Sequence, residues 1–520
     1  MAVSATSARS ATTFAPTRVP LALFAMSFML PLILDFGGVL MTPTRAILLI
    51  FFFPSLYRML SGKTPPLNIT DFFIFFTVCW AGLSYFVNHG ASQIQFIGMQ
   101  FVDLLGAYIF ARAHVRSASD FKFFWKMLSV CALFILPVAL IELFTDRLII
   151  HEILGKVFRV SRDLTGTTGE RLGLDRVQGT MEHPILFGVF WGISFANIFF
   201  LDRNAARRTL YVIVICVTVF TSLSSGAFLT VMIQGGLLIW NWISKGNWKP
   251  LLIASAVMFV VVEIVSDRSA IAALSTRLAF SAHTAYWRLL IWEHGTTNVM
   301  NNPIFGLGLK DWVRPSWMFT ASVDNYWLLN AMRNGLPCII ALLAGMFSNV
   351  FRLVRLRGLN AWGRDARTGY IIAFVALFIA LGTVAVWSAS SSYIYFYFGL
   401  MAWMFSDQSI YEDGEAEVVE PPRKRGVPEP FAGGAVVARA TQRRGMPSDF
   451  ATATRETVPE ENEQFRQDNP LRDKAALKEP PERQRGAPGG AEESRKTIRS
   501  AKSPRTARAK SPARGRPKPL

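Results

Sequence analysis

Arginine residues cluster in two long polar stretches of the chain, at about 146–183 and 267–322. Arg176 lies near the end of the first stretch, and Arg288 lies in an aromatic segment of the second. A guanidinium group binds phosphate oxygens through two parallel hydrogen bonds. The two arginines therefore indicate a site for an anionic ligand with phosphate oxygens.

Both arginines also have a structural interpretation. Arg288 could pack on the neighbouring tryptophan rings through cation–π contacts. Arg176 could pair with one of the acidic residues close to it in sequence, which are Glu170, Asp175 and Glu182.

A candidate general base lies where the second polar stretch meets an apolar run. Asp324 is followed directly by Asn325 and by Tyr326-Trp-Leu-Leu. An ionisable group at a membrane boundary is a functional candidate, and a carboxylate can take the proton of an acceptor hydroxyl. The same position suits a helix N-cap, for which Asp is favoured. The sequence leaves both roles open for Asp324, with Asn325 as a substrate-binding candidate.

Three further residues could contribute to substrate binding. Arg333 lies one helical turn or so inside the following apolar run and could pair with Asp324 or reach the anionic ligand. His183 precedes Pro184 and could either cap a helix or lie near the acceptor. His294 is an alternative base. For both histidines a structural role is the competing interpretation.

Glycines of the segment Asn302-Pro303-Ile-Phe-Gly306-Leu-Gly308 resemble a phosphate-binding loop. No Lys followed by Ser or Thr comes after them, as such a loop requires. The spacing therefore favours a turn after Pro303.

The elements that must position these residues are apolar runs long enough to cross a bilayer. The sequence predicts an all-α polytopic membrane protein with about twelve transmembrane helices. The predicted spans are 20–40, 43–60, 69–87, 94–112, 124–145, 184–201, 209–225, 226–243, 250–266, 323–350, 369–388 and 391–406. The break between 209–225 and 226–243 is weak. The four cysteines lie inside these spans, which indicates packing residues and neither disulfides nor a metal site.

Basic residues alternate between the connections that join these spans. Short connections such as 88–93 carry no Lys or Arg, whereas every second connection is basic. The positive-inside rule then predicts that both termini are cytoplasmic and that 146–183 and 267–322 are long periplasmic loops of a bacterial inner membrane protein. Residues 1–19 form a predicted cytoplasmic segment and are read as part of an uncleaved anchor.

The amino-acid composition differs between two parts of the chain. Of the 520 residues, 51% are hydrophobic and only 17% are charged, while the net charge is +18. Residues 407–520 carry +5 of that charge and are rich in Pro, Gly, Ala, Arg and Glu, which predicts a disordered cytoplasmic tail. Its basic end either is simply solvated or binds anionic lipid headgroups. Membrane topology and the tail thus account for the charge without nucleic acid as a partner.

The motifs occur in a defined order along the chain. Arg176-Val-Gln-Gly-Thr-Met-Glu-His-Pro184 enters one span, and Tyr286-Trp-Arg288, the glycine segment, Asp324-Asn325-Tyr326-Trp-Leu and Arg333-Asn-Gly335-Leu follow. This series resembles the superfamily of O-antigen ligases and Wzy-type polysaccharide polymerases. The resemblance covers most of 1–406 in topology and about 176–340 in motif.

The resemblance implies a GT-C-like, metal-independent glycosyltransferase domain at 20–406 that uses no cofactor. Such enzymes transfer a sugar chain from an undecaprenyl diphosphate carrier at the periplasmic face. They act among membrane lipids and beside other polysaccharide assembly and export proteins. The resemblance assigns diphosphate binding to Arg176 and Arg288. The family's His-Asn pair appears here as Asp324-Asn325, so the identity of the base stays open.

The resemblance leaves two functions open within the family. A polymerase would join surface or exopolysaccharide repeat units, and the Asp in place of His favours this activity. An O-antigen ligase would transfer the glycan to lipid A-core. A polysaccharide flippase or secondary transporter is a rival from another class, since twelve spans suit it equally. The two halves of the chain show no obvious similarity to each other, which argues against that rival.

Overall fold

The computed structural model describes residues 18–37, 39–160, 169–265 and 282–411, with side chains of the last segment described from residue 286. All of them lie in one structural unit, which comprises residues 1–424. Most of the predicted cytoplasmic segment 1–19, part of both predicted periplasmic loops and nearly all of the tail 407–520 lie outside the described residues. The predictions made for those segments stay predictions.

Helices make up most of the described chain, as the apolar runs predict. They are α1 (Val19–Ser27), α2 (Pro43–Leu60), α3 (Ile69–His89), α4 (Ile94–Phe101), α5 (Ala107–His114), α6 (Ala118–Thr145), α7 (Ile149–Leu154), α8 (Pro184–Leu201), α9 (Ala205–Thr221), α10 (Ser225–Ile243), α11 (Lys249–Val265), α12 (Ala282–Asn301), α13 (Tyr326–Arg355), α14 (Ala361–Leu381) and α15 (Ser388–Gly399). Two-stranded antiparallel hairpins pair β1 (Leu34–Phe36) with β2 (Val39–Met41) and β3 (Glu170–Arg171) with β4 (Leu174–Asp175).

Five helical segments within the described residues are long and apolar enough to cross a membrane. They are Ile69–His114, Ala118–Thr145, Pro184–Leu201, Ser225–Ile243 and Tyr326–Arg355. The chain is therefore a helical protein with the character of a polytopic membrane protein. The number of twelve spans stays a prediction.

The predicted span 20–40 is wrong as a continuous helix. Helix α1 has nine residues and would reach about 14 Å, less than half the ~30 Å hydrocarbon core. Pro31 follows α1, and Gly37 adopts a φ of +63° in the turn between β1 and β2. Pro cannot continue a helix and the hairpin pairs the chain with itself, so the apolar run is divided.

The helical segment Ile69–His114 folds back on itself. Gly90 turns the chain with a φ of +65°, and the short 3₁₀ helix Gly90–Gln93 leads into α4. Near the start of α3, Asp71 accepts a 2.6 Å hydrogen bond from Tyr108 and forms a 2.9 Å ion pair with Arg112, both in α5. The predicted spans 69–87 and 94–112 thus form an antiparallel pair, as their polar break indicates.

A π-helical segment, Val102–Gly106, interrupts the second half of this pair. Such segments are rare and occur often at functional sites. Asp103 lies within it and is 8% exposed.

Helix α15 and the segment before it lie at the centre of the fold. Residues Ser392 to Phe398 of α15 are all buried. Phe396 packs against Phe24 and Phe124 with ring centroids 4.7 Å apart in each case, and Tyr397 stacks on Tyr370 at 4.6 Å. Aromatic packing thus fixes α15 against α1, α6 and α14, and holds the preceding residues 382–388 in place.

Candidate functional site

A small cavity lies where α12, the start of α13 and the end of α14 meet. The space inside it, part of it open to solvent, amounts to about 220 Å³, and we call it the arginine pocket. Its lining consists of Arg288, Ile291, Trp292, Asp324, Asn325, Leu328 and Gly382. The structure therefore brings together three residues that the sequence predicts for the site: Arg288, Asp324 and Asn325.

Arg288 enters the arginine pocket from α12. Its side chain is 8% exposed, and its Nη2 donates a 3.2 Å hydrogen bond to the carbonyl of Thr383 just beyond α14. Burial lowers the pKa of Arg288, the nearby charge of Asp324 raises it, and Arg171 lowers it further. The pocket thus holds a desolvated positive charge with a carboxylate close by.

Two more arginines lie close to this pocket. Arg171, on β3, donates a 3.0 Å hydrogen bond from Nη1 to the carbonyl of Leu223, between α9 and α10. Burial and the charge of Arg171 lower the pKa of Arg176 to about 10. Arg171 acts electrostatically on both Arg176 and Arg288. With a pKa of about 10, Arg176 stays charged at neutral pH.

A buried carboxylate fixes the loop that carries Arg176. The Glu142 side chain, in α6, accepts hydrogen bonds from the backbone N–H groups of Gln178 at 2.8 Å and Gly179 at 3.1 Å. Val177 N–H donates to the carbonyl of Thr221 at 3.1 Å. Helices α6 and α9 thus hold the backbone on the C-terminal side of Arg176. The sequence analysis did not recognise this role of Glu142.

Asn325, and not Asp324, caps helix α13. The Asn325 Oδ1 accepts a 3.0 Å hydrogen bond from the Leu328 N–H. Asp324 Oδ1 accepts a 3.0 Å hydrogen bond from the Ser322 hydroxyl, outside the helix. The capping role that the sequence left open for Asp324 belongs to its neighbour. The Asp324 carboxylate, half-buried beside Arg288, lines the pocket without being required by the helix.

The two histidines lie apart from the arginine pocket. His183 caps α8, since its Nδ1 accepts a 3.1 Å hydrogen bond from the Ile185 N–H, and its ring centroid lies 6.0 Å from that of Trp387. His294 is half-buried on α12, outside the lining of the arginine pocket. The sequence analysis left two roles open for His183, helix capping and a place near the acceptor. The structure shows His183 as the cap of α8.

A second and larger cavity, which we call the central cavity, is lined by other residues of the first turns of α13. It encloses about 720 Å³, part of it open to solvent. Arg333 lines this cavity, whereas Asp324 lines the arginine pocket, so the structure separates these two predicted residues. The lining residues with polar or aromatic side chains include Tyr85, Gln100, Asp103, Tyr326, Asn330, Arg333, Asn334, Trp387, Ser388 and Ser391.

An ion pair that the sequence analysis did not predict lies at the central cavity. Arg45 Nε donates to Asp103 Oδ1 at 2.9 Å and Arg45 Nη2 donates to Asp103 Oδ2 at 2.6 Å. Arg45 also donates to the carbonyl of Leu40. Opposite charges inside two apolar runs, 43–60 and 94–112, were the pattern that could have revealed this pair.

Glu182 also lies near Asp103. Burial raises the pKa of Glu182, and hydrogen bonds with Ser388 and Trp387 oppose the rise in part. The charges of Arg45 and Asp103 act on the same carboxyl group.

The glycine segment 302–308 docks into a break in α13. Leu307 N–H donates to Met332 O at 2.7 Å, Gly308 N–H to Arg333 O at 2.9 Å, and Leu336 N–H to Pro303 O at 2.7 Å. Gly335 has a φ of +79°, and a Cβ there would overlap the carbonyl of Ile304.

This docking explains why the motifs contain glycine. The predicted turn after Pro303 is confirmed, and the Gly308 N–H is used within the protein instead of on a phosphate.

Within the described residues, no group of three or more His, Cys, Asp or Glu side chains could hold a metal ion. The four cysteines are free thiols, two of them buried, one partly buried and one exposed.

Residues 210–343 match the model of the O-antigen ligase family. The matched segment runs from α9 through the break in α13 and contains Arg288, His294, Asp324, Asn325 and Arg333. No curated protein matches the sequence. The family match supports the lipid-linked glycan polymerase or ligase class of function. It confirms the resemblance carried by the motifs, to the superfamily of O-antigen ligases and Wzy-type polymerases.

Proposed function

We propose that the chain transfers a glycan from a polyprenyl diphosphate carrier to a sugar hydroxyl, and that it polymerises surface or exopolysaccharide repeat units. One observation carries the proposal: Arg288 and Asp324 line the same cavity, with Arg171 acting on both Arg288 and Arg176. A diphosphate needs several positive charges, and an acceptor hydroxyl needs a base. The arginine pocket offers both kinds of group.

The proposed reaction is a displacement at the anomeric carbon of the donor sugar. The acceptor oxygen forms a new bond to that carbon, and the bond from the carbon to the diphosphate oxygen breaks. The electron pair stays on the leaving polyprenyl diphosphate, where the arginines stabilise the growing charge. The proton of the acceptor hydroxyl passes to Asp324.

The membrane setting follows from the sequence and belongs to the same proposal. The basic connections predict cytoplasmic termini, so Arg171, Arg176 and Arg288 lie on the periplasmic face of the inner membrane. A donor there is the undecaprenyl-diphosphate-linked glycan, and membrane lipids surround the helices. Lipid-exposed apolar side chains such as Phe134 and Ile264, which are 76% and 77% exposed, fit that environment.

A deletion strain separates this activity from its rivals. Loss of a polymerase leaves single repeat units attached to lipid on the periplasmic side, and surface glycan runs as short chains on a gel. Loss of a ligase leaves long chains attached to the carrier lipid, and loss of a flippase traps single repeats inside. Either of the last two patterns would contradict polymerisation.

Complementation of that strain tests the site. We expect Arg288→Ala and Asp324→Asn, each present at the wild-type level, to restore no long chains, because one lacks charge at the diphosphate and the other lacks the base. Arg147→Ala is the matched control, since Arg147 is 67% exposed and pairs with Glu152 away from the pocket. Full-length polymer from both site variants would refute the assignment.

A further inference from the structure

The central cavity differs in chemistry from the arginine pocket. Its polar lining consists mainly of neutral groups: the amides of Gln100, Asn330 and Asn334, the hydroxyls of Tyr85 and Ser391, and others of the same kind. Among the described lining residues, Asp103 has the one buried carboxylate. This carboxylate accepts hydrogen bonds from Nε and Nη2 of the Arg45 guanidinium. Arg333 adds one positive charge to the lining, but neutral hydrogen-bonding groups outnumber the charged ones. The cavity therefore suits a ligand with many hydroxyl groups.

A buried acceptor in this cavity has no hydrogen-bond partner among the described residues. Asn334 is 3% exposed, and its Oδ1 accepts no hydrogen bond, while its Nδ2 lies 3.5 Å from Asn330 Oδ1. Buried polar atoms are rarely left unsatisfied, because desolvation without a partner is unfavourable. A ligand hydroxyl that donates to Asn334 Oδ1 would satisfy it.

An aromatic ring also lines this cavity. Trp387 is 42% exposed and lies in the segment that leads into α15. Indole offers a flat apolar face for the C–H groups of a ring, while the side-chain hydrogen bond of Trp387 goes to Glu182. Trp387 and Asn334 thus present the two kinds of contact that a pyranose requires, an apolar face and amide groups.

The π-helical segment Val102–Gly106 gives the cavity a third feature. It turns Asp103 into the lining, where Arg45 from α2 holds the carboxylate in a fixed orientation. A carboxylate whose oxygens are partly used by an arginine still accepts hydrogen bonds from hydroxyl groups, since each oxygen has two lone pairs. The π-helical geometry, rare elsewhere, is thereby explained by the placement of one acceptor.

We propose that the central cavity is the binding site for the sugar residues of the acceptor, separate from the arginine pocket that binds the diphosphate. This inference rests on the proposed function. Trp387 stacks on the acceptor sugar, the amides of Asn334 and Asn330 accept from or donate to its hydroxyls, and Asp103 accepts from them. Both cavities are lined by residues at the start of α13, Asn325 and Leu328 in the pocket and Tyr326 and Leu329 in the central cavity. Acceptor and donor are therefore both held at the start of this helix.

The test uses the full-length protein and two probes. One is the repeat-unit oligosaccharide, released by mild acid from the lipid-linked glycan of the producing cells and labelled. The other is inorganic pyrophosphate. We expect Trp387→Leu to weaken oligosaccharide binding about 5-fold to 10-fold and Asn334→Leu about 10-fold, with pyrophosphate binding unchanged. Trp387→Phe keeps an aromatic face and should retain most of the affinity.

Trp317→Leu is the matched control, because Trp317 is 48% exposed and packs near Trp287 outside the central cavity. Unchanged oligosaccharide binding in both Trp387→Leu and Asn334→Leu would overturn the inference. Since Trp387 is partly exposed, its replacement tests the cavity even if the Asn334 variant fails to fold.

A transfer assay separates acceptor from donor sugars. The labelled oligosaccharide is extended by lipid-linked donor, and each is varied in turn. We expect Trp387→Leu to raise the half-saturating concentration of the oligosaccharide alone. A rise for the lipid-linked donor alone would instead assign the cavity to donor sugars and overturn the inference. If transfer fails in Arg288→Ala while Trp387→Leu has no effect, the result supports the proposed function and contradicts the acceptor site in the central cavity.

Discussion

The arginine pocket and the central cavity differ in the polar groups that line them. Arg288 and Asp324 line the pocket, and Arg171 acts electrostatically on Arg288. The central cavity is lined mainly by amides, hydroxyls and aromatic rings, with Arg333 and Asp103 as its charged lining residues. The space inside them, part of it open to solvent, amounts to about 220 Å³ in the pocket and about 720 Å³ in the cavity. The two proposals assign the diphosphate to the first and the acceptor sugars to the second.

The separation has a physical reason. A desolvated guanidinium strengthens its attraction for a diphosphate only where water is excluded, which favours a small pocket. A sugar ring needs space and several weaker contacts, which favours a wider cavity with neutral groups. One cavity that served both needs would leave the arginines hydrated or the sugar loosely held.

The strongest test of the comparison uses two adjacent residues of the arginine pocket. Asp324→Asn should lower the rate of glycan transfer by about 10²-fold to 10⁴-fold, the usual contribution of a general base. Asn325→Ala should instead lower the free energy of unfolding by about 1 kcal/mol, because it removes the cap of α13. Transfer rates and thermal unfolding of the purified variants provide the measurements.

The opposite result would contradict the roles assigned here. If Asn325→Ala transferred glycan slowly while Asp324→Asn kept the wild-type rate, Asp324 would not be the general base.

The second test changes the backbone of α13 next to the central cavity. Gly335→Ala places a Cβ against the carbonyl of Ile304 at a φ of +79°. We expect a loss of more than about 2 kcal/mol in unfolding free energy, together with weaker oligosaccharide binding, because Arg333 and Asn334 flank the break. Thermal unfolding and the oligosaccharide titration measure the two effects.

Gly236→Ala in α10 is the control, since nothing lies within 4 Å of the Cβ it would add. It should be neutral or stabilise the helix by about 0.5–1 kcal/mol. Equal destabilisation by both substitutions would mean that the docked segment 302–308 has no special role.

How far the sequence predicts these regions depends on the distance between the residues in the chain. The helices α2 and α8 have the predicted bounds 43–60 and 184–201, because Pro at the first turn marks each start. Arg288 and Asp324 were predicted together because each belongs to a motif of the same series. The order of those motifs was therefore sufficient to predict part of the arginine pocket.

Other parts depend on contacts that no local pattern reveals. Arg171 resembles every other arginine of its loop, and only the β3–β4 hairpin brings it near Arg288. Arg45 and Asp103 are 58 residues apart in sequence, and the π-helical segment that turns Asp103 inward has no known sequence pattern here. The span predicted at 20–40 was wrong because hydropathy does not detect a hairpin in an apolar run.

A third and smaller effect concerns the loop that carries Arg176. Glu142→Gln leaves one acceptor oxygen for two backbone N–H groups and adds an NH₂ group that repels the other. We expect pyrophosphate binding to weaken about 10-fold, since a hydrogen bond to a charged group contributes about 1.5–3 kcal/mol. Oligosaccharide binding should not change, so titration with both probes sharpens the contrast between the two regions.

Glu152→Gln is the control, because the Glu152 side chain is 34% exposed and its ion pair is with Arg147. Equal weakening of pyrophosphate binding by both variants would mean that the hydrogen bonds from Glu142 to the loop of Arg176 have no special role.

The smallest expected effect is a pH dependence at the edge of the central cavity. Burial raises the pKa of Glu182, so the folded protein binds this proton more tightly than the unfolded chain. The stability it provides is present at low pH and is lost as pH rises from the ordinary carboxyl range, about 4.3, through the raised pKa. Glu182→Gln should remove that decline, measured as Tm from about pH 4 to 7.

Glu152 supplies a comparison of opposite sign, since its hydrogen bond with Arg147 lowers the pKa of that carboxyl. Its contribution is lost as pH falls, so Glu152→Gln should flatten the acid side of the profile instead. A proton held by Glu182 beside Trp387 adds no charge next to the cavity in which the acceptor sugars are proposed to bind, whose charged lining residues are Arg333 and Asp103. A wild-type Tm that rises with pH, unchanged in Glu182→Gln, would contradict a raised pKa for this carboxyl group.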